Sequence, residues 1–226
     1  MNFNKFNLNS GQIKQFDIYY DFLISENKKY NLTAITSKEE VYIKHFHDSM
    51  MSSFVFDYNK IHSYCDIGSG GGFPAVPLKI VFPHLKLTVI EPTKKKIDFL
   101  KRLCELLLLS EIEFVNQRAE DFIKERREYY DIITARAVAK LPVLLELAIP
   151  LLKVQGTFIA YKGINYYSEL KEANTALQLL GSNVDKVYKY SLPNNMGEHV
   201  IIKIRKQRKT DRVYPRRYAQ IKKKHL

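Results

Sequence analysis

Asp66, Gly68, Gly70 and Gly72 occupy alternate positions between a short apolar run at 61–67 and a second apolar run that opens at Phe73-Pro74. The order reads strand, glycine turn, helix. Glycines at such a turn permit positive φ and let a flat ligand lie against bare backbone. Three details narrow the ligand. A dinucleotide fingerprint started at Gly68 needs glycine where Phe73 stands, so the nicotinamide pattern fails. A pyrophosphate wants N–H groups at the helix start, yet Pro74 removes one, and the Asp66 carboxylate would repel phosphate while attracting an ammonium group. The next strand, 85–90, ends in Glu91, where an acid accepts hydrogen bonds from ribose hydroxyls. A ligand with ammonium, ribose and adenine but no phosphate meets these demands, and S-adenosylmethionine is that ligand.

The elements that must position these residues alternate strand and helix from residue 61 onward. After strand 85–90, Thr93-Lys94-Lys95-Lys96 leads into Ile97, Leu100, Cys104, Leu107 and Leu108 at helical spacing. Strand 111–115 runs into Arg118-Ala119-Glu120-Asp121, read as a turn whose acid could reach an adenine amine. Strand 130–134 ends in Ala135-Arg136-Ala137, helix 143–152 follows, and strand 156–161 ends at Lys162-Gly163. Polar residues therefore collect at the carboxyl ends of four strands, the edge at which open α/β sheets bind ligands. Helix 166–180 and two strands, 185–192 and 199–204, complete the sheet, the last two as an antiparallel hairpin.

Ahead of the sheet, Phe16, Tyr19, Tyr20, Leu23 and Ile24 recur at three- and four-residue intervals after the cap candidates Asn9 and Ser10. Ser37-Lys38-Glu39-Glu40 is a capping box for a second helix reaching about Met51. That helix can carry His45, Asp48 and Ser49 on one face, either to anchor it on the glycine turn or to touch substrate.

At 226 residues and 46% hydrophobic content the chain can bury a full core. The longest apolar stretch, 141–152, contains Glu146 and two prolines, so no bilayer span is expected, and MNFNKFNLNS lacks a signal core. The expected location is the cytoplasm. Cys65 and Cys104 have neither a metal spacing nor a disulfide framework, and no second cluster completes a metal site around His45 and His47. No metal is expected. Of the net charge of +12, residues 203–226 carry +10, with eleven Lys or Arg against one Asp. Tyr214 and Tyr218 lie among these cations, which suits stacking and phosphate contact on RNA or DNA better than binding to a bilayer.

Taken together, Asn31-Leu32-Thr33-Ala34-Ile35, His45-x-x-Asp48-Ser49, Asp66 to Pro74, Arg118-Ala119-Glu120, Thr134-Ala135-Arg136-Ala137, Lys162-Gly163 and Tyr214-Pro215-Arg216-Arg217 resemble the ribosomal RNA small-subunit methyltransferase G family, also called glucose-inhibited division protein B. The similarity runs from about residue 30 to 217. It implies a Rossmann-like class I methyltransferase sheet, α/β and mostly parallel with the last strand antiparallel, bearing an N-terminal helical extension and a basic C-terminal tail. The corresponding units are 1–60, 61–205 and 206–226. It further implies transfer of a methyl group from S-adenosylmethionine to N7 of one guanine in 16S ribosomal RNA of the small ribosomal subunit. The cofactor would meet Asp66, Gly68, Gly70, Phe73, Glu91, Pro92, Thr93, Ala119, Glu120 and Arg136. Guanine N7 carries a lone pair and no proton, so no general base is assigned. Arg136 and Lys162 are the positioning candidates, Arg216 and Arg217 the RNA contacts, and the chain is read as a monomer. A non-catalytic RNA-binding or assembly factor is the main alternative, and a nicotinamide-dependent reductase the weaker one.

Overall fold

The computed structural model describes residues 4–226. Seven strands form one sheet in the order β3-β2-β1-β4-β5-β7-β6: β1 Ser63–Ile67, β2 Lys86–Ile90, β3 Ile112–Val115, β4 Tyr130–Arg136, β5 Leu152–Lys162, β6 Ser182–Ser191 and β7 Glu198–Lys206. The first five are parallel, and β7 lies antiparallel between β5 and β6. The expected α/β sheet with its antiparallel end is thus the observed one. β1 is covered on both faces, so Tyr64 to Ile67 are all buried rather than alternately exposed.

One face carries the N-terminal helices together with helices Ala75–Val81 and Lys94–Leu106. Helix Ser10–Tyr30 is closed by an Asn9–Gln12 capping box and buries Phe16, Tyr19 and Leu23. Gln12 donates to the Ile80 carbonyl (2.9 Å), Gln15 to that of Leu107 (2.7 Å), and buried Glu26 pairs with Arg102. The extension is therefore a layer of the same core. The second helical segment is capped by Ser37 as expected, but it widens into a π-helical stretch at Val41–His47 and runs on to Phe54. There the Lys44 carbonyl accepts from Arg136 at 3.2 Å instead of serving only its own helix.

Elsewhere the boundaries differ for local reasons. Residues 118–121 open helix Ala119–Arg126 rather than making a turn, because Ala119, Phe122 and Ile123 together bury an apolar face. Helix 166–180 breaks into Tyr166–Glu172 and Asn174–Leu180 at Ala173. Strand β5 begins four residues early through an irregularity at positive-φ Gln155, where the register against β4 slips.

The basic C-terminal tail is docked on the other face, in the second core layer. Lys206 is wholly buried and donates to Glu128 and to the carbonyls of Ile149 and Leu152 at 2.9–3.0 Å. Arg216 grips the fully buried Glu146 carboxylate through Nε (2.8 Å) and Nη2 (2.7 Å), and Ile221 of helix Tyr218–Lys223 is buried below them. Removing one partner of a buried pair leaves an uncompensated charge. Arg216→Ala should therefore lose about 2–4 kcal/mol in urea unfolding, discounted because the guanidinium is partly exposed, whereas Glu146→Leu with Arg216→Leu should recover most of that loss.

Candidate active site

The turn after β1 takes the shape its glycines allow: Gly68, Gly70 and Gly72 have φ of +71°, +55° and +101°. At Gly72 a Cβ would stand 2.5 Å from the Tyr19 hydroxyl and 3.0 Å from Val76, inside the core. Tyr19 donates to the Gly71 carbonyl at 2.6 Å and stacks on Phe73. At Gly68 the nearest group is Val138, from the exposed loop after β4, 2.6 Å from the Cβ position. The outer face of the turn is bare backbone, covered by one side chain of a surface loop.

Several expected contacts are arranged otherwise than the sequence suggested. Asp66 is fully buried, and its oxygens accept the hydroxyls of Ser69 and Thr134 (2.5 Å for Thr134) instead of standing open to an ammonium group. Burial pushes its carboxyl up to about 7 in spite of those two donors. Phe73 is buried too, and its ring contacts Tyr19, His45 and the Arg136 guanidinium, so only its backbone belongs to the ligand face. Pro74 caps the helix rather than occupying its first turn, since Ala75–Val81 starts one residue later.

Glu91 lies at the carboxyl end of β2 as expected, and it ties that edge to the turn. Oε1 accepts from Thr93 N (2.9 Å) and Oε2 from Gly70 N (3.2 Å). Asn116, unmarked in the sequence, donates to the Glu91 and Pro92 carbonyls at 3.1 and 2.9 Å and fixes their loop, leaving Pro92 and Thr93 exposed. Ala119 is buried at the start of its helix; beside it Glu120 is half-buried, with its carboxyl raised by burial.

Arg136 donates to Asp48 Oδ2 at 2.9 Å and approaches His45 Nδ1 at 3.2 Å. A guanidinium only donates, so Nδ1 is the acceptor and Nε2 carries the proton toward Thr33 Oγ1, 2.7 Å away. Burial, reinforced by Arg136, holds that imidazole down to about 4, hence neutral. Burial works to raise the Asp48 carboxyl, but His199, Arg136 and Tyr190 together draw it below the ordinary value. The Lys162 ammonium is given to the Ala139 carbonyl and Glu169, both at 2.7 Å, and burial lowers its pKa. Arg136, Lys162, Val138, Met196 and His199 line a cavity of about 640 Å³. Val138 is common to this cavity and to the glycine turn, so the two spaces adjoin. Arg216 and Arg217 are not in the cavity lining: Arg216 serves Glu146, and Arg217 is exposed.

The family described as "GidB: rRNA small subunit methyltransferase G" matches residues 12–199. The chain belongs to this family. It is 49% identical over 212 residues to the ribosomal RNA small subunit methyltransferase G of Bacillus thuringiensis (strain Al Hakam), which covers 93% of this chain and 89% of that one. Among solved structures it is similar to the ribosomal protein L11 methylase of Lactobacillus delbrueckii subsp. bulgaricus (TM-score 0.57, 15% identity, 73% of this chain and 79% of that one). It is also similar to M. jannaschii TYW2 in complex with AdoMet (TM-score 0.55, 16% identity, 72% and 76%). The structural likenesses show the fold, and the family makes the chain an S-adenosylmethionine-dependent rRNA methyltransferase rather than a nicotinamide-dependent reductase. The cradle fits that cofactor: backbone a Cβ would fill at Gly68, and a Glu91 edge held in place by Gly70 and Asn116. No helix among the described residues is long and apolar enough to cross a membrane.

Because the folded-state pKa of Asp66 lies above its unfolded value near 3.8, the native chain keeps a proton that the unfolded chain loses. Asp66 therefore costs stability progressively as pH rises from about 4 to 7. Asp66→Asn should be more stable relative to the parent at pH 8 than at pH 4, by up to about 4 kcal/mol, as read from urea unfolding at the two pH values.

Proposed function

We propose that this chain transfers the methyl group of S-adenosylmethionine to N7 of one guanine in 16S ribosomal RNA, acting on the small ribosomal subunit or its RNA as a cytoplasmic monomer. The observation that carries the reading is the shared Val138 wall, which sets a cavity roomy enough for a purine base, with Arg136 on it, against the glycine turn. In this reading residues 61–205 form the catalytic unit, 1–60 supply the helical layer that builds the cavity, and 206–226 supply the RNA-facing cations.

The cofactor, when bound, supplies an electrophilic methyl group. Gly68, Gly70, the Phe73 backbone, Glu91, Pro92, Thr93, Ala119 and Glu120 would hold it, with Asp66 acting through Ser69 to keep the turn in shape. Guanine N7 presents an in-plane lone pair, so this chain has no proton to remove. Its task is to hold the base in line, keep it still and exclude water. In this reading Arg136 does this: Nη1 is pinned by Asp48 and the Lys44 carbonyl, Nη2 is shared with His45 Nδ1, and the N–H groups left over on the cavity wall donate to guanine O6. Lys162 steadies the neighbouring loop at Ala139.

Arg136→Ala would strand the buried Asp48 charge, so Arg136→Lys is the cleaner variant. It should cut methyl transfer about 100-fold while S-adenosylmethionine binding by calorimetry stays within about threefold. Unchanged turnover would remove Arg136 from the reaction. Comparing 7-methylguanosine in ribosomal RNA from cells with and without the protein tests the reading as a whole. Deleting residues 206–226 would also remove buried Lys206 and Ile221. Replacing exposed Arg217, Lys222, Lys223 and Lys224 by Ala should instead weaken RNA binding and flatten its salt slope by up to roughly 3, without lowering the melting temperature.

A further inference from the structure

We propose that His199 is a specificity-determining residue of the base cavity: its Nε2 accepts a hydrogen bond from the N1–H or N2–H of the target guanine while Arg136 donates to O6. The inference rests on the methyltransferase reading above and extends it to how the base is chosen.

Three observations carry it. His199 and Arg136 line the same cavity, from β7 and β4, and both are held by one carboxylate, Asp48, which is 1% exposed. Asp48 Oδ2 takes Arg136 at 2.9 Å, while Oδ1 takes His199 Nδ1 at 2.7 Å and the Tyr190 hydroxyl at 2.6 Å. A carboxylate only accepts, so Nδ1 must carry the proton. With its proton on Nδ1, the neutral tautomer leaves Nε2 as the ring nitrogen that offers a lone pair. That nitrogen has no hydrogen-bond partner among the described residues. Other polar groups on the wall are committed: the Tyr161 hydroxyl to the Ser49 carbonyl, His45 to Thr33 and Arg136, and Lys162 to Ala139 and Glu169.

The cavity therefore offers a donor and an acceptor whose relative placement is set by the two oxygens of a single buried group. Guanine presents the matching order along its Watson–Crick edge, O6 as acceptor and then N1–H and N2–H as donors. Adenine presents the reverse, an amine to Arg136 and a lone pair to Nε2. A base lifted out of its stack is read on that edge, and leaving a buried polar group without its partner is costly.

The test uses the full chain and 16S ribosomal RNA carrying guanosine, inosine (no N2–H) or N1-methylguanosine (no N1–H) at the mapped target. The wild type should lose about tenfold in kcat/KM on at least one analogue, roughly what one hydrogen bond contributes. His199→Leu should treat guanosine and that analogue alike within about twofold, with S-adenosylmethionine affinity by calorimetry unchanged. His199→Gln, whose amide oxygen can accept, should restore part of the discrimination, and it carries the comparison if His199→Leu does not fold. Discrimination that persists undiminished in the variant that folds, or a wild type indifferent to both analogues, would overturn the assignment of His199 alone. A wild type that methylates no guanosine in this RNA would overturn the parent reading and this inference together.

Discussion

A carboxylate sealed from water costs several kcal/mol unless its lone pairs are met by donors and its charge by a cation. Asp48 satisfies that demand by drawing in Arg136 from β4, Tyr190 from β6 and His199 from β7. Elements up to 151 positions apart in the chain are thereby held to one point, on the wall of the cavity beside the glycine turn. The N-terminal helical layer is thus part of the site, because Asp48 belongs to it. Nothing in this cluster is loose: Arg136 is also held by the Lys44 carbonyl and His45, and it lies over the Phe73 ring. Such rigidity suits a reaction in which alignment, rather than proton transfer, is what the protein must supply.

The glycine turn is bound to the same assembly from the other side. Tyr19 reaches across from the first helix to the Gly71 carbonyl, and Phe73 bridges Tyr19 and His45. Positions 68 and 72 both need glycine for φ, but Gly72 also needs it for packing, because Tyr19, Val76 and Leu100 crowd its Cβ position. Gly68 must be glycine for its φ and for access. Two residues of one motif thus answer to different constraints, one inside the core and one on the ligand face.

The cations of the C-terminal tail divide in a similar way. Lys206 and Arg216 neutralise Glu128 and buried Glu146 and hold the tail to the second core layer. The exposed remainder, Arg217 and Lys222 to Lys224 among them, keeps its charge available to phosphates. A sum of charges along the chain could not separate these groups, because burial and partner decide which charge is spent internally.

What the sequence by itself determined was whatever depends on short-range spacing: the strand–turn–helix around Gly68, the caps at Asn9 and Ser37, the alternation that makes a parallel sheet, and Glu91 at the end of the second strand. Those signals are local, set by backbone sterics and by apolar periods of two or 3.6 residues. The assignment of Asp66 to the ligand came from reading charge at a strand end without knowing its neighbours. Only the tertiary structure decided that Asp66 is met by Ser69 and Thr134, that Arg136 is held by Asp48, that Val138 and His199 line the cavity, and that Asn116 fixes the loop after Glu91. A side chain's role depends on which partners reach it and whether water is excluded, and apart from the local Asp66–Ser69 bond both follow from contacts between residues tens to more than a hundred positions apart.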